Sequence, residues 1–289
     1  MFDPTCPVCD NTMSRQAIGW RYVCPGCRFE RSDFAVTAGG ETGEEAPFDA
    51  ERHKSAHETM RRRIYERVLD ITANVRPLEN TSVLDVGCSY GWFLDAARAR
   101  GMQVQGLEPD PRSAAIAKGK GNTVVEGSFP ESLADGTTFD VIVFNDVFEH
   151  LPDVQAAIDH CRRHLNEGGL LVLNLPSSKG LLYRIALWLD RFGFHGPLER
   201  LWLRPFPWPH LSYFSPDTLE CLAARFSFIE VARDRLPSIE GRDLWNKLHI
   251  DTSASLIFRG AVWVGLLSLL PFMRLAPADI MVLIFRKTG

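Results

Sequence analysis

Between residues 82 and 176, short apolar runs alternate with stretches whose apolar positions recur at helical spacing. SVLDVG (82–87), QVQGLEP (103–109), TVVEG (123–127), FDVIVFN (139–145) and GLLVLNLP (169–176) have the length and continuous apolar character of strands buried on both faces. Between them, WFLDAARARG (92–101), RSAAIAKGKG (112–121) and DVQAAIDHCRRHL (153–165) read as helices, the last closed by the turn Asn166-Glu167-Gly168-Gly169. This alternation predicts an α/β fold built on a parallel sheet covered on both sides.

Upstream, Met60, Ile64, Val68 and Ile71 fall near one face of a helix running from Glu51 to about Val75. That helix carries Arg52, Lys54, Arg61, Arg62, Arg63 and Arg67 against Glu51, Glu58, Glu66 and Asp70. Such a run reads as a solvated face, with a phosphate-binding patch as the sharper alternative. Residues 37–50, TAGGETGEEAPFDA, read as a linker.

Composition changes the picture at the N-terminus. The 289 residues carry a net charge of −4, which provides no global basic field for nucleic acid or acidic lipid. MFDPTCPVCD lacks the basic start and apolar core of a signal peptide, so a cytoplasmic protein with reduced cysteines is expected. Cys6-x-x-Cys9 and Cys24-x-x-Cys27 present two sulfurs each from short turns, with 14 residues between the pairs. Four thiolates so spaced suit a structural zinc ion in a small ribbon, with iron as a lesser alternative. Cys88, Cys161 and Cys221 are scattered and read as packing residues.

VLDVGCSYGWFL (83–94) admits two chemistries. Gly87-Cys88-Ser89-Tyr90-Gly91 fits the G-x-S-x-G turn of a serine nucleophile, and it also fits a glycine-rich cofactor loop. Chain position favours the loop, because the turn follows the first strand of the alternating region. Glu108 ends the second strand 21 residues past Gly87, the place where a nucleoside-binding sheet sets a carboxylate against ribose hydroxyls. Asp85 would repel a pyrophosphate but attract an ammonium group. A cofactor with an amino-acid end and a ribose, S-adenosylmethionine, satisfies both acids.

VLDVGCSYGWFL, GLEPD, FDVIVFNDVFEHLPD and NEGGLLVLNLP resemble the successive motifs of class I S-adenosylmethionine-dependent methyltransferases over about residues 80–230. The resemblance implies a Rossmann-like seven-stranded sheet, mostly parallel with an antiparallel last strand, in which FSFIEVAR (226–233) and DIMVLIFRK (279–287) supply strands six and seven. It divides the chain into a zinc ribbon (1–36), a linker (37–50) and a methyltransferase domain (51–289) with apolar insertions at about 180–209 and 254–275. Carried over by position, it implies a cofactor cradle of Asp85, Gly87, Cys88, Gly91, Glu108, Pro109, Ser128 and Asn145. Ser89 stands where the family most often has glycine, and the loop Glu126-Gly127-Ser128-Phe129 lacks the aspartate often found beside the adenine.

Methyl transfer from a sulfonium needs a base only where the acceptor must lose a proton. Asp146, Glu149 and His150 after the fourth strand, and His210 and Tyr213 in WPHLSYFSPDTL, are the candidates; of these Asp146, His150, His210 and Tyr213 are the catalytic assignments. Residues 180–209 interleave Trp188, Phe192, Phe194, Trp202, Phe206 and Trp208 with Arg184, Arg191, Arg200 and Arg204. They read either as helices capping the site or as an interfacial surface that reaches a lipid-linked substrate on the inner face of the membrane. GAVWVGLLSLLPFM (260–273) is too short to span a bilayer, which takes about 20 residues. The expected activity is methylation of a small-molecule, glycan or lipid-linked acceptor. The alternatives are an RNA methyltransferase that uses the ribbon for binding, and a catalytically inactive binding protein of the same fold. Residues 1–35 hold four arginines against four acids, which disfavours nucleic acid.

Overall fold

The computed structural model describes residues 4–35, 50–236 and 277–289. The N-terminal cysteine segment forms three short strands, β1 (Ser14–Arg15), β2 (Arg21–Val23) and β3 (Glu30–Ser32). Helix α1 (Ala50–Ala73) leads into the alternating region of β4 (Ser82–Val86), α2 (Trp92–Ala99), β5 (Gln103–Glu108), α3 (Pro111–Gly119), β6 (Val124–Glu126) and β7 (Phe139–Asn145). A 3-10 turn at Phe148–His150 and α4 (Val154–His164) connect to β8 (Leu165–Pro176). The apolar insertion folds into α5 (Leu181–Asp190) and α6 (Gly196–Leu201). The chain then forms β9 (Ser212–Tyr213), α7 (Pro216–Ala224), β10 (Phe228–Leu236) and β11 (Ile280–Lys287).

Seven strands form one sheet in the order β10-β11-β8-β7-β4-β5-β6. The five strands β8-β7-β4-β5-β6 pair in parallel, and β11 runs antiparallel to both β10 and β8, as expected for the last strand. Alternate side chains along each strand enter opposite layers. Leu84, Val86, Ile142 and Phe144 pack on one face with α4 and α7, while Val83, Val141 and Val143 pack on the other with α1 and α2. Asp110 and Asp153 cap α3 and α4, and Ser215 with Thr218 forms a capping box on α7 beside Pro216.

The ribbon is continuous with this body. Strand β3 pairs antiparallel with β9, Glu30 opposite Tyr213, to make a four-stranded sheet β1-β2-β3-β9. A run of ring contacts, Phe29–Phe214–Phe148–Phe144, carries the ribbon's apolar side into the main core at centroid spacings of 5.0–5.5 Å.

The structure departs from the sequence expectations in three places, one of them Cys221, which is exposed on α7 rather than packed. The turn expected at 166–169 is instead the start of β8, which begins at Leu165 with Gly168 at φ +69° and a register shift against β7. The charged run on α1 is not a uniformly solvated face, because Arg61 turns inward to Asp146 while Arg62 and Arg67 bridge outward to Glu58 and Asp234. The boundary between ribbon and linker and the apolar segment 254–275 lie outside the described residues. Among the described residues no helix is long and apolar enough to cross a membrane.

Candidate active site

The turn between β4 and α2 is held in left-handed backbone conformations at Gly87 (φ +72°), Ser89 (+47°) and Gly91 (+75°). A Cβ on Gly87 would lie 2.6 Å from a Val147 methyl, and one on Gly91 would lie 2.8 Å from Asn122 Nδ2, so only glycine fits at either position. Ser89 occupies a conformation that glycine adopts more readily, which explains the family preference there. Its amide donates to Glu108 Oε2 at 2.7 Å, and the Asp110 amide donates to Oε1 at 2.9 Å. Two backbone donors thus aim the carboxylate, and each oxygen keeps a further lone pair for a hydroxyl.

Asp85 ends β4 fully buried, where burial and the neighbouring Glu108 charge push its carboxyl up to about 8. It accepts from Asn145 Nδ2 at 3.3 Å, and Asn145 Oδ1 accepts from Asn174 Nδ2 at 3.2 Å. This buried amide chain fixes the acid at the sheet's C-terminal edge. Asn174 was not singled out in the sequence; its only signal was a polar residue interrupting an apolar strand. Of the other cradle candidates, Cys88 packs beneath the turn, its Sγ 2.5 Å from where a Cβ on Gly106 would lie, and its amide bonds the Leu107 carbonyl. Pro109 and Ser128 are exposed beside the ends of β5 and β6.

A pocket of about 330 Å³ opens beyond the C-terminal ends of β7 and β8, where Val147, the neighbour of its lining residue Asp146, packs against Gly87 of the turn. Asp146, Glu149, His150, His210 and Tyr213, brought together from β7, the 3-10 turn and β9, all line it. Arg61 and Ser177 line it as well, and α5 and α6 supply Leu182, Tyr183, Arg200 and Leu201. Asp146 sits at φ +54°, and its Oδ2 accepts from Arg61 Nη1 at 2.7 Å. His150 Nδ1 donates to the Pro209 carbonyl at 2.9 Å, so its Nε2 carries the free lone pair. Burial lowers the affinity of His150 for a proton, and burial with the adjacent His150 takes His210 down to about 3. Tyr213 stays a neutral phenol, raised by burial and by the Glu149 charge, and stacks on Tyr183 at 4.2 Å. Arg61 and Tyr183 were missed from sequence as pocket residues: Arg61 lay in a charged run on α1, and nothing in the sequence singled out Tyr183.

The ribbon forms the back of this pocket. Glu30 Oε2 accepts from Arg21 Nε and from Tyr183 Oη, both at 2.5 Å, and Trp202 Nε1 donates to Tyr183 Oη at 3.2 Å. Ser32 Oγ donates to the His210 carbonyl at 3.0 Å. At the ribbon's tip the sulfurs of Cys6, Cys9, Cys24 and Cys27 lie within 4.8 Å of one another, with Cys6–Cys27 at 3.5 Å and Cys9–Cys24 at 3.4 Å. A tetrahedral zinc with Zn–S near 2.3 Å sets sulfurs about 3.8 Å apart, so the cluster fits the ion with small adjustments.

Residues 56–229 match the family model described as a methyltransferase domain. The chain belongs to that family. The ubiquinone biosynthesis O-methyltransferase of Rhizobium leguminosarum bv. trifolii is 35% identical over 104 residues, 34% of this chain and 41% of that protein. An uncharacterized methyltransferase from Mycobacterium sp. is 32% identical over 171 residues, 58% of this chain and 57% of the relative. The matched part thus spans less than two thirds of these relatives. Among solved structures, the Haemonchus contortus phosphoethanolamine N-methyltransferase 2 in complex with S-adenosyl-L-methionine aligns with a TM-score of 0.52 at 15% identity, covering 78% of this chain and 53% of that one. The Mycobacterium tuberculosis cyclopropane synthase MmaA2 aligns at 0.51 with 20% identity, covering 72% and 79%. These structural likenesses bear on the fold.

Proposed function

We propose that the protein is an S-adenosylmethionine-dependent methyltransferase whose acceptor, a small or lipid-linked molecule, enters the pocket beside the glycine turn. The observation that carries this reading is the Glu108 carboxylate, aimed by the Ser89 and Asp110 amides at the mouth of a turn that only glycine can form. Glu108 would hold the ribose hydroxyls, Asp85 with Asn145 the amino-acid end, and Gly87 and Gly91 would let the nucleoside approach the backbone. The cofactor supplies an electrophilic methyl group on a sulfonium. The protein's part is to orient the acceptor and exclude water, which contributes up to about 7–11 kcal/mol in favourable cases. His150 Nε2 is the imidazole nitrogen free to take an acceptor proton. Release of S-adenosylhomocysteine from purified protein across acceptor pools, lipid extracts included, tests the proposal; a chain that binds no S-adenosylmethionine by calorimetry sinks it.

We assign zinc to the four cysteines as a structural ion. The RNA-binding alternative loses support because Arg21 of the ribbon is buried against Glu30, and Arg15 and Arg31 are bonded to the Gly19 and Pro152 carbonyls. For the acceptor, the insertion supports a lipid surface. Trp188, Phe192, Phe194, Phe206 and Trp208 are 47–64% exposed, among exposed Arg184, Arg191 and Arg204, on the same segment that lines the pocket through Arg200 and Leu201.

A further inference from the structure

Arg200 is a charge on the acceptor pocket that the chain itself does not answer. Three other basic side chains line the cavity, and each is accounted for. Arg61 gives its guanidinium to Asp146 at 2.7 Å, and burial lowers the affinity of His150 and His210 for a proton. Among the described residues the Arg200 guanidinium has neither a hydrogen bond nor an ion pair. Arg200 is exposed, whereas Tyr183, His210 and Tyr213 of the same pocket are buried, which puts it on the solvent side of the cavity.

The acids of the pocket do not compensate it. Asp146 is matched by Arg61, and Asp279 Oδ1 accepts from the Leu182 amide at 2.7 Å. Glu149 is 1% exposed with neither carboxylate oxygen hydrogen-bonded, and burial with the nearby Asp146 charge drives it toward its neutral form. The surrounding segment has the sign of Arg200. Residues 177–205 hold Lys179, Arg184, Arg191, Arg200 and Arg204 against Asp190 and Glu199, and both acids are already paired, with His195 and Arg204. The positive field is therefore local to the segment that carries α5 and α6, in a chain whose net charge is −4. A cavity with low-dielectric walls focuses such a field on whatever enters it.

We propose that Arg200 anchors a phosphate group carried by the acceptor, holding it at the pocket mouth while the atom to be methylated points inward toward His150. Resting on the methyltransferase reading, this narrows the acceptor to a phosphate ester. A guanidinium offers parallel N–H donors that match two phosphate oxygens. A phosphate monoester, with a charge of about −1.5 to −2, also answers the local excess of cations more fully than the single charge of a carboxylate. The phosphate is not consumed; it fixes the orientation of the acceptor, which makes Arg200 a specificity-determining residue.

Calorimetric titration of the full-length protein with phenyl phosphate, benzoate and benzyl alcohol at low ionic strength tests the anchor. Phenyl phosphate should bind about tenfold or more tightly than the other two, and Arg200→Gln should weaken it by about 10–100-fold. Arg163→Gln removes the same charge from α4, outside the pocket lining, and should leave that affinity unchanged. Because Arg200 is exposed, its variant should melt with the parent. Benzoate or benzyl alcohol binding as tightly as phenyl phosphate, undiminished affinity in Arg200→Gln, or equal losses in the two variants overturns the anchor. Dihexanoyl phosphatidic acid below its micelle concentration distinguishes the sources of phosphate: tighter binding than phenyl phosphate assigns a lipid headgroup, and equal or weaker binding assigns a soluble ester. Calorimetry with S-adenosylmethionine on the same samples separates the two readings. Cofactor binding without Arg200-dependent phosphate binding removes the anchor alone, whereas Arg200-dependent phosphate binding without cofactor binding removes the methyltransferase reading alone.

Discussion

Glu108 and Asp85 show how much two side chains owe to their surroundings. Hydrogen bonds to a charged group contribute about 1.5–3 kcal/mol each, so Glu108→Ala should weaken S-adenosylmethionine binding by about tenfold to several hundredfold, read by calorimetry. Asp85 makes a different prediction. Its folded carboxyl holds a proton up to about pH 8, whereas an aspartate in an unfolded chain loses it at pH ~3.9. Across that window the folded state binds more protons than the unfolded one, so the ligand-free chain should lose stability as pH rises. Urea melts of the Asp85→Asn variant should show a shallower decline from about pH 4 to 8 than the parent; equal slopes would refute the assignment. Both acids were legible in the sequence, because a turn and the strand beside it are near neighbours. The Asn145–Asn174 support beneath Asp85 was only half legible, since it depends on the pairing of β7 with β8.

At the scale of elements, the ribbon and the insertion act as one wall. Trp202 is fully buried and meets Trp20 of the ribbon at 5.4 Å and Tyr213 of β9 at 5.1 Å. Trp202→Ala should therefore cost about 3–5 kcal/mol in denaturant unfolding. If the four cysteines hold the proposed zinc, a chelator should loosen β3 and, through Glu30 and Ser32, the Tyr183 and His210 side of the pocket. Tryptophan fluorescence from Trp20 and Trp202 should shift while cofactor affinity stays unchanged, because Glu108 and the glycine turn lie on β5 and β4. A parallel loss of cofactor binding would show that the two halves are coupled more tightly than their contacts indicate. The cysteine spacing announced the ribbon, but the docking of β3 on β9, separated by about 180 residues, had no signature in either segment.

On the scale of the whole molecule, the exposed aromatic face and the pocket belong to the same insertion. The insertion has two faces: Tyr183, Leu198 and Trp202 face inward, while Trp188, Phe192 and Phe194 face solvent. Replacing Trp188, Phe192 and Phe194 by serine should abolish flotation with anionic liposomes and leave the melting temperature within a degree or two, as expected for surface sites. Flotation equal to the parent, or none by the parent itself, would remove the lipid-surface reading.

The strand and helix order, the glycine turn, the acid at the end of β5 and the cysteine cluster were determined by the sequence itself. Each rests on interactions between residues close along the chain or on steric limits of single residues. Only the tertiary structure decided that Arg61 would be drawn to Asp146, that the ribbon would back the acceptor pocket, and that Glu149 would stand buried and unpartnered between two histidines. Those meetings depend on how β7, β9 and α1 are brought together in three dimensions, and burial changes the charge and partners available to each residue once it is there.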